Sequence, residues 1–312
     1  MSRHYHLVVV WDWEYDREFL AVLETAIHER GLKIYSVSHH NTEETLHAVQ
    51  TSALRFSCCL DRASDTDERF QPLTRLLLKR GTRFINSPAA VRHASDKATM
   101  HLEFLTRGIE VPYTIIISPY NKRREIELSL SELAHLGRPF IIKPANTTGG
   151  GVGVIMGAET LKDVIESRQH HKNDKYLLQE EIHPVVLDGK PGWFRVFNVD
   201  GLVWACWWDP VTHVYTPLTG PVMARHRLVP LAGIARAIRE VCHLDFFSTE
   251  IALSQHGKLV VVDYVNEVCD MRLQSVHPDG VPRAMVKGIS RRIARLVNTS
   301  EPDARLDIAS QV

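Results

Sequence analysis

Nowhere does this sequence run apolar for the ~20 residues that a membrane-spanning helix needs. Residues 1–6 lead straight into Leu7-Val8-Val9-Val10-Trp11, with no extended apolar core and no small-residue cleavage site. A soluble, cytoplasmic protein is the expectation, with no membrane partner. Charge of one sign is missing too. The 37 Lys and Arg balance 37 Asp and Glu, so no global field draws the chain to nucleic acid or anionic lipid. Arg291, Arg292 and Arg295 are too short a run to change that and read as a solvated helix face. Cysteine is scarce: Cys58, Cys59, Cys206, Cys242 and Cys269 are odd in number, form no C-x-x-C, and sit mostly in apolar runs. Buried reduced thiols fit this better than disulfides or zinc. Of the 17 histidines, His39-His40 and His170-His171 are adjacent pairs whose side chains diverge, so they read as surface residues rather than ligands. Internal repeats and low-complexity segments are absent. So is G-x-G-x-x-G after the first apolar run, where Asp12-Trp13-Glu14 stands, which argues against a dinucleotide site.

What is present is a strand–helix alternation in 312 residues, room enough for two or three subdomains. Residues 7–11 read as a buried strand and 16–30 as a helix with Phe19, Leu20, Leu23 and Ile27 on one face, stopped by Gly31. Strands are expected at 32–38, 55–60 and 83–86, and a helix at 70–80. Thr42 is placed to cap another helix, with Glu43 and Glu44 in its first turn. This alternation predicts an open parallel α/β sheet over residues 1–90, closed off at Ser87-Pro88. One helix is expected over 88–107, ended by Gly108, then a strand at 113–117 and an outer loop and helix over 120–138. A strand at 140–143 with its hairpin mate at 152–156, a helix at 160–169 and a strand at 176–180 follow. Beyond them 193–198 and 202–208 pair across Asp200-Gly201, 231–241 is helical, and 246–254 pairs with 258–265. The expected class is α/β, passing to α+β in the C-terminal part. The first domain is 1–90, the second 91–300 with subdomains 91–178 and 179–300, and 301–312 is a tail.

Four short stretches carry chemistry. They are Ser95-Asp96-Lys97-Ala98; Phe140-Ile141-Ile142-Lys143-Pro144 running into Thr147-Thr148-Gly149-Gly150-Gly151-Val152-Gly153; Leu177-Leu178-Gln179-Glu180-Glu181-Ile182; and Glu250 with Val261-Val262-Asp263-Tyr264-Val265-Asn266-Glu267. Two lysines and a glycine loop suit polyphosphate, and late carboxylates suit the magnesium that travels with it. The loop lacks a G-K-[ST] ending and lies between strands; its amides can converge on an anion, although an ordinary glycine-rich hairpin has the same composition. Lys143 among Ile141, Ile142 and Pro144 is costly to bury without a partner, which favours the anion reading. Asp263 and Asn266, three residues apart, cannot face one side of a regular strand. A bulge near Tyr264 or Val265 would reunite them, with Glu267 as a substitute ligand. The plain alternative is that these are solvent-facing carboxylates at strand ends.

Taken together, the stretches resemble the ATP-grasp superfamily over roughly residues 87–297, in the layout of the D-alanine–D-alanine and RimK-like ligases. The resemblance implies a two-subdomain ATP-grasp fold after the N-terminal sheet. It implies that Lys97 and Lys143 contact nucleotide phosphates, and that Gly149, Gly150, Gly151, Val152 and Gly153 cover the β- and γ-phosphates. Backbone groups of Gln179, Glu180, Glu181 and Ile182 would hold adenine. Arg195, in Trp193-Phe194-Arg195-Val196-Phe197, would be a phosphate or intermediate-stabilising cation, although Trp193 replaces the acidic residue usual there. Glu250, Asp263 and either Asn266 or Glu267 would hold the metal, one residue longer than the frequent E-x-N. ATP and Mg2+ are the implied cofactors, with Mn2+ as an alternative ion.

Three functions fit. A ligase would activate a small-molecule carboxylate as an acyl phosphate and join it to an amine. A kinase would phosphorylate a polyol or inositol-phosphate-like hydroxyl, with Lys122, Arg123, Arg124, Arg225 and Arg227 as candidate acceptor cations. A nucleotide-binding protein without turnover is the third. Arg272 either pairs with a substrate carboxylate or makes a structural contact with Asp270. The aromatics of 204–208 and 213–215 either line a substrate pocket or fill a core. A homodimer is compatible with the sequence.

Overall fold

A computed structural model describes residues 2–146 and 152–299. Gly149, Gly150 and Gly151 of the expected phosphate loop, and the tail 301–312, lie outside the described residues. The chain packs as two compact units.

The first unit comprises residues 2–88, 244–246 and 268–299. It is built on β1 (Arg3–Val10), α1 (Arg17–His28), β2 (Ile34–Val37), α2 (Thr42–Gln50), β3 (Leu54–Asp61), α3 (Gln71–Lys79) and β4 (Arg83–Ile85). The sheet is parallel, in the order β2-β1-β3-β4. Leu7, Val8, Val9 and Val10 are all fully buried, which explains a continuous apolar run where a half-exposed strand would alternate. Asn41, not Thr42, occupies the position before α2; the Thr42 hydroxyl instead donates to the Ser38 carbonyl at 2.6 Å. The Arg-rich segment lies on the helix Arg283–Asn298, which does bury a face: Val286, Ile289, Ile293 and Val297 are inside, and the helix packs on α1. That apolar stripe groups 268–299 with the N-terminal sheet, a different partition from the 91–300 domain expected from local pattern.

The second unit comprises residues 89–243 and 247–267. Its chain order is α4 (Pro88–Ser95), α5 (Lys97–Thr106), β5 (Thr114–Ile117), α6 (Leu130–Leu136), β6 (Phe140–Pro144), β7 (Ile155–Ala158), α7 (Leu161–Ser167) and β8 (Tyr176–Glu180). Then come β9 (Val186–Leu187), β10 (Lys190–Pro191), β11 (Trp193–Val199), β12 (Leu202–Trp208), β13 (Tyr215–Pro217), α8 (Gly220–Arg225), α9 (Pro230–Cys242), β14 (Phe246–Leu253) and β15 (Leu259–Asn266). The helix Arg283–Asn298 of the first unit is α10. One sheet is antiparallel in the order β5-β8-β6-β7, a second runs β13-β12-β11-β14-β15, and β9 and β10 form a small antiparallel pair.

Two expectations are corrected here. The single helix over 88–107 is two, because Asp96 leaves the helical region and its carboxylate accepts from Ala98 N at 3.0 Å and Thr99 N at 3.2 Å, capping α5. The mate of β6 starts at Ile155, leaving Val152 and Gly153 in a turn. The Asp200-Gly201 hairpin is as expected, with φ of 47° and 79° that suit a tight turn between twisted strands. All five cysteines are buried and none is in a disulfide. Among the described residues no helix is long and apolar enough to cross a membrane.

Candidate functional site

The lysine, carboxylate and arginine side chains gathered below belong to the second unit, Arg272 with its partners excepted. Lys143 alternates with Ile142 and Pro144 near the end of β6, so its stem lies in an apolar layer and its ammonium must find polar company. It donates to the Val262 carbonyl on β15 at 3.0 Å. Burial lowers its pKa, with Lys97 acting the same way, while Asp263 and Glu250 oppose the shift. Lys97 starts α5, and its backbone N–H donates to the Ala145 carbonyl at 3.1 Å, just past β6. Asp96, which caps that helix, also takes Lys175 Nζ at 2.5 Å. The approach to the glycine loop is held from the other side by Asp174, whose carboxylate accepts from Asn146 N at 2.8 Å and Nδ2 at 2.9 Å. Beyond the loop Gly153 has φ +77°, and a Cβ there would stand 3.1 Å from Pro144 Cγ. Only glycine turns back against Pro144 without strain.

The β14–β15 ladder slips twice. Ser248 pairs with Asn266, Glu250 with Asp263 and Ile251 with Val261, so each step gives β15 one residue more than its partner. These are bulges, and the extra residue of the first slip falls in the Tyr264-Val265 stretch expected from the Asp263–Asn266 spacing. The bulge returns Asn266 to Asp263: its Nδ2 donates to Asp263 Oδ2 at 2.9 Å. Thr249 Oγ1 donates to the Asp263 carbonyl at 2.9 Å, and Lys143 satisfies the carbonyl of Val262 at the other slip. Glu250 and Asp263, directly paired across the strands, respond in opposite senses. Burial raises the pKa of Glu250 and Asp263 adds to that, against Arg195, Trp193 and Lys143. Burial pushes Asp263 up as well, but Lys143, Lys97, Arg195 and the Asn266 hydrogen bond together hold it below its ordinary value.

Arg195 and Trp193 lie two residues apart on β11 and so share a face next to β14. Arg195 Nη2 is 2.8 Å from Glu250 Oε1, and Trp193 Nε1 donates to Glu250 Oε2 at 3.0 Å. The tryptophan that replaces the expected acid therefore orients the Glu250 carboxylate. Trp208 backs Arg195, its ring 4.8 Å from the guanidinium carbon, and Trp207 and Trp208 are buried, which fits core packing rather than an open aromatic pocket. Among the described residues no three His, Cys, Asp or Glu side chains cluster as a metal cage. Two carboxylates and an amide are a donor set that suits magnesium, which keeps several waters and shares phosphate oxygens.

Gln179 is buried on β8, and its side chain is bonded inside the unit: Nε2 donates to the Tyr264 hydroxyl at 3.0 Å and to Thr114 Oγ1 at 3.2 Å. The same hydroxyl lies 2.7 Å from His101 Nδ1. Thr114 also hydrogen-bonds this hydroxyl, so the phenol joins His101, Gln179 and Thr114 in one buried network. Burial lowers the His101 pKa to about 4, consistent with a neutral ring. The linkage has a definite sign. An unfolded histidine takes up its proton near pH ~6.5, whereas folded His101 resists until about 4. Stability is thus expected to fall as pH drops through that window. His101→Gln should flatten that part of a melting-temperature profile; an unchanged slope would mean that His101 is not buried neutral.

Glu180 closes the strand by accepting from Tyr113 N at 2.7 Å, and Glu181 and Ile182 follow it, Ile182 packing with Trp193 on Ala252, Val260 and Val262. Glu267 lies just past the end of β15, half-buried. Arg272 belongs to the first unit, where its guanidinium takes Asp270 at 2.8 Å and Asp279 at 2.9 Å and lies 5.8 Å from the Trp13 ring centre. The structural contact with Asp270 is the one observed, extended to a second carboxylate. His101 is the site-adjacent residue that sequence reasoning did not single out; Trp193 and Tyr264 were named, but not the contacts they make with Glu250, His101 and Gln179. The available hints were the spacing of His101, one helical turn after Lys97, and the position of Tyr264 inside the Asp263–Asn266 interval.

Neither the protein-family models nor the curated protein sequences give a match to this sequence. Solved structures do. A RimK-domain ATP-grasp protein from Sphaerobacter thermophilus DSM 20745 superposes with TM-score 0.64 at 21% identity, covering 93% of this chain and 98% of that one. D-alanine–D-alanine ligase from Bacillus anthracis, complexed with ATP, gives 0.62 at 15% identity, covering 94% and 96%. The ATP-grasp ligase PsnB, with minimal precursor, Mg and ADP, gives 0.60 at 15%, covering 95% and 98%. At such identities the likeness is one of fold. The chain has the ATP-grasp fold.

Proposed function

We propose that the protein is an ATP- and magnesium-dependent ligase. In this reading it activates a small-molecule carboxylate as an acyl phosphate and joins it to an amine, releasing ADP and phosphate. The observation that carries the reading is the gathering of cations at one carboxylate pair: Arg195 bonds Glu250 at 2.8 Å, Lys143 donates at 3.0 Å to the carbonyl preceding Asp263, Glu250 pairs with Asp263 across the strands, and Lys143, Lys97 and Arg195 together hold the Asp263 pKa down. Structural neighbours solved with ATP, or with Mg and ADP, support it. Phosphoryl transfer asks a protein mainly to align groups and neutralise charge, and the site is equipped for that task.

Lys97 and Lys143 hold the phosphates, with the loop through Val152 and Gly153 covering them and the backbone of 179–182 receiving adenine. Arg195, fixed by Glu250 and Trp208, presents charge to the transferring group and to the acyl phosphate. Asp263, Glu250 and Asn266 hold magnesium, with Glu267 in reserve; manganese would meet the same oxygen donors. The bound ion supplies charge neutralisation at the phosphate oxygens. Of the cations a phosphorylated acceptor would need, Arg123 pairs with Glu127 and Arg225 with Asp188, so no observation favours the kinase reading.

Mg-ATP is expected to raise the melting temperature while NAD at equal concentration does not. Amino acids, short peptides and polyol phosphates should then be screened for stimulated ADP release, with free phosphate measured in parallel. Free phosphate in step with ADP, and a hydroxamate on adding hydroxylamine, are expected. A stable phosphorylated product as the sole outcome would overturn the ligase assignment, and no response to millimolar Mg-ATP would remove the nucleotide reading.

A further inference from the structure

We infer that the Tyr264 hydroxyl is the positioning group of the candidate metal site: tied to His101 and Gln179, it holds the β15 bulge in the register that turns Asp263 and Asn266 to the same side. The inference rests on the nucleotide and metal reading above.

A strand of this composition has a competing arrangement. Run regularly, β15 would turn Asn266 to the face opposite Asp263, since side chains alternate. Nothing local forbids that, because Val262, Tyr264 and Val265 all tolerate extended backbone. Something must therefore select the bulged register. Tyr264 sits inside the slipped interval and is only 2% exposed, its ring against Phe104 with centroids 5.4 Å apart. A phenol so deeply buried has to find its hydrogen bonds in the protein, and it finds them at His101 Nδ1 at 2.7 Å and Gln179 Nε2 at 3.0 Å, with Thr114 beside them on β5. Sliding β15 by one residue would carry the hydroxyl away and strand the phenol and its imidazole partner in the interior.

The two partners are informative in their own right. His101 lies on α5 one turn after Lys97, and Gln179 opens the segment expected to receive adenine. One oxygen thus fixes the carboxylate strand relative to the lysine helix and the hinge strand. Thr249 and Lys143 satisfy the bulge carbonyls from the other side, so the backbone at Asp263 is held at both flanks. The Tyr264 hydroxyl makes its hydrogen bonds away from the groups proposed to hold the ion. It acts through Asp263 and Asn266.

The test is a magnesium titration at saturating ATP, read by thermal shift, beside an ATP titration in EDTA. Tyr264→Phe is expected to raise the half-saturating magnesium concentration about ten- to a hundredfold, as loss of outer-shell partners does, and to leave metal-free ATP affinity unchanged. A core hydrogen bond without positional meaning would shift both titrations or neither. Because Tyr264 acts through Asp263, Tyr264→Phe added to Asp263→Asn should cost no further magnesium affinity. His101→Leu should share the loss, while His101→Gln, whose amide can still accept from the hydroxyl, should stay near wild type. Should Tyr264→Phe not fold, that His101 pair decides. Wild-type-like magnesium binding in Tyr264→Phe, or full additivity with Asp263→Asn, overturns the positioning role. If the wild-type protein itself shows no magnesium-dependent response to ATP, the nucleotide reading has failed and the inference falls with it.

Discussion

Asparagine in place of Asp263 is expected to lower ATP-dependent turnover by at least ~100-fold while the protein stays folded. The asymmetry follows from what surrounds the carboxylate. Asp263 is the anion on which Lys143, Lys97 and Arg195 act together, so its charge sets the field the phosphates enter. Its removal also relieves Glu250, whose pKa Asp263 helps to raise, and this offsets part of the lost attraction to the lysines. The net stability change should then be about 1–2 kcal/mol, less than the loss of transition-state stabilisation. Glu250→Gln makes a poorer probe. Arg195 and Trp193 both bind that carboxylate, and breaking a buried ion pair from one side destabilises by roughly 3–5 kcal/mol. Steady-state ADP release measured beside thermal unfolding separates the two effects. Turnover by Asp263→Asn within about threefold of wild type, a difference of less than ~1 kcal/mol, would exclude Asp263 from the chemistry.

How legible the site was depends on how local each signal is. The run Leu7-Val8-Val9-Val10, the Asp200-Gly201 turn and the Phe140–Pro144 strand carry their conformations in neighbouring residues, and their identities and rough positions follow from pattern. The bulge was legible for a different reason: a carboxylate and an amide three apart can cooperate on a strand only if the ladder slips. Asp96 shows the opposite case. Its cap on α5 is written in the sequence as Asp96 before Ala98 and Thr99, yet helical apolar spacing runs across it and hides the break. The remaining pairs could not be read locally at all. Trp193 reaches Glu250 across 57 positions, Tyr264 reaches Gln179 across 85 and His101 across 163. The placement of α10 on α1 is likewise decided by which apolar face is free to receive it, and not by anything within residues 283–298.

Methionine in place of Lys143 should abolish the melting-temperature rise caused by Mg-ATP and cut turnover by ~100-fold or more. Lys143 differs from Lys97 in what holds it: both side chains are half-buried, but burial lowers the Lys143 pKa and its ammonium is bonded to the Val262 carbonyl at the β15 slip. Methionine is close in length and needs no desolvation, so it recovers the cost of burying a charge. Against that, the Val262 carbonyl loses its donor, and Asp263 and Glu250 lose a counter-charge within a site where burial already raises the pKa of Glu250. The two sides nearly cancel, leaving a loss of about 1 kcal/mol in the nucleotide-free protein. Lys97→Met, at a half-buried position, should weaken Mg-ATP binding with almost no change in the nucleotide-free melting temperature. The pair of variants thus separates the electrostatic role from the structural one: both lose the nucleotide response, and only Lys143→Met shifts the unliganded protein. A wild-type Mg-ATP response in Lys143→Met would show that the β6 lysine does not meet phosphate, and the convergence of cations on Asp263 would then be a device of folding alone.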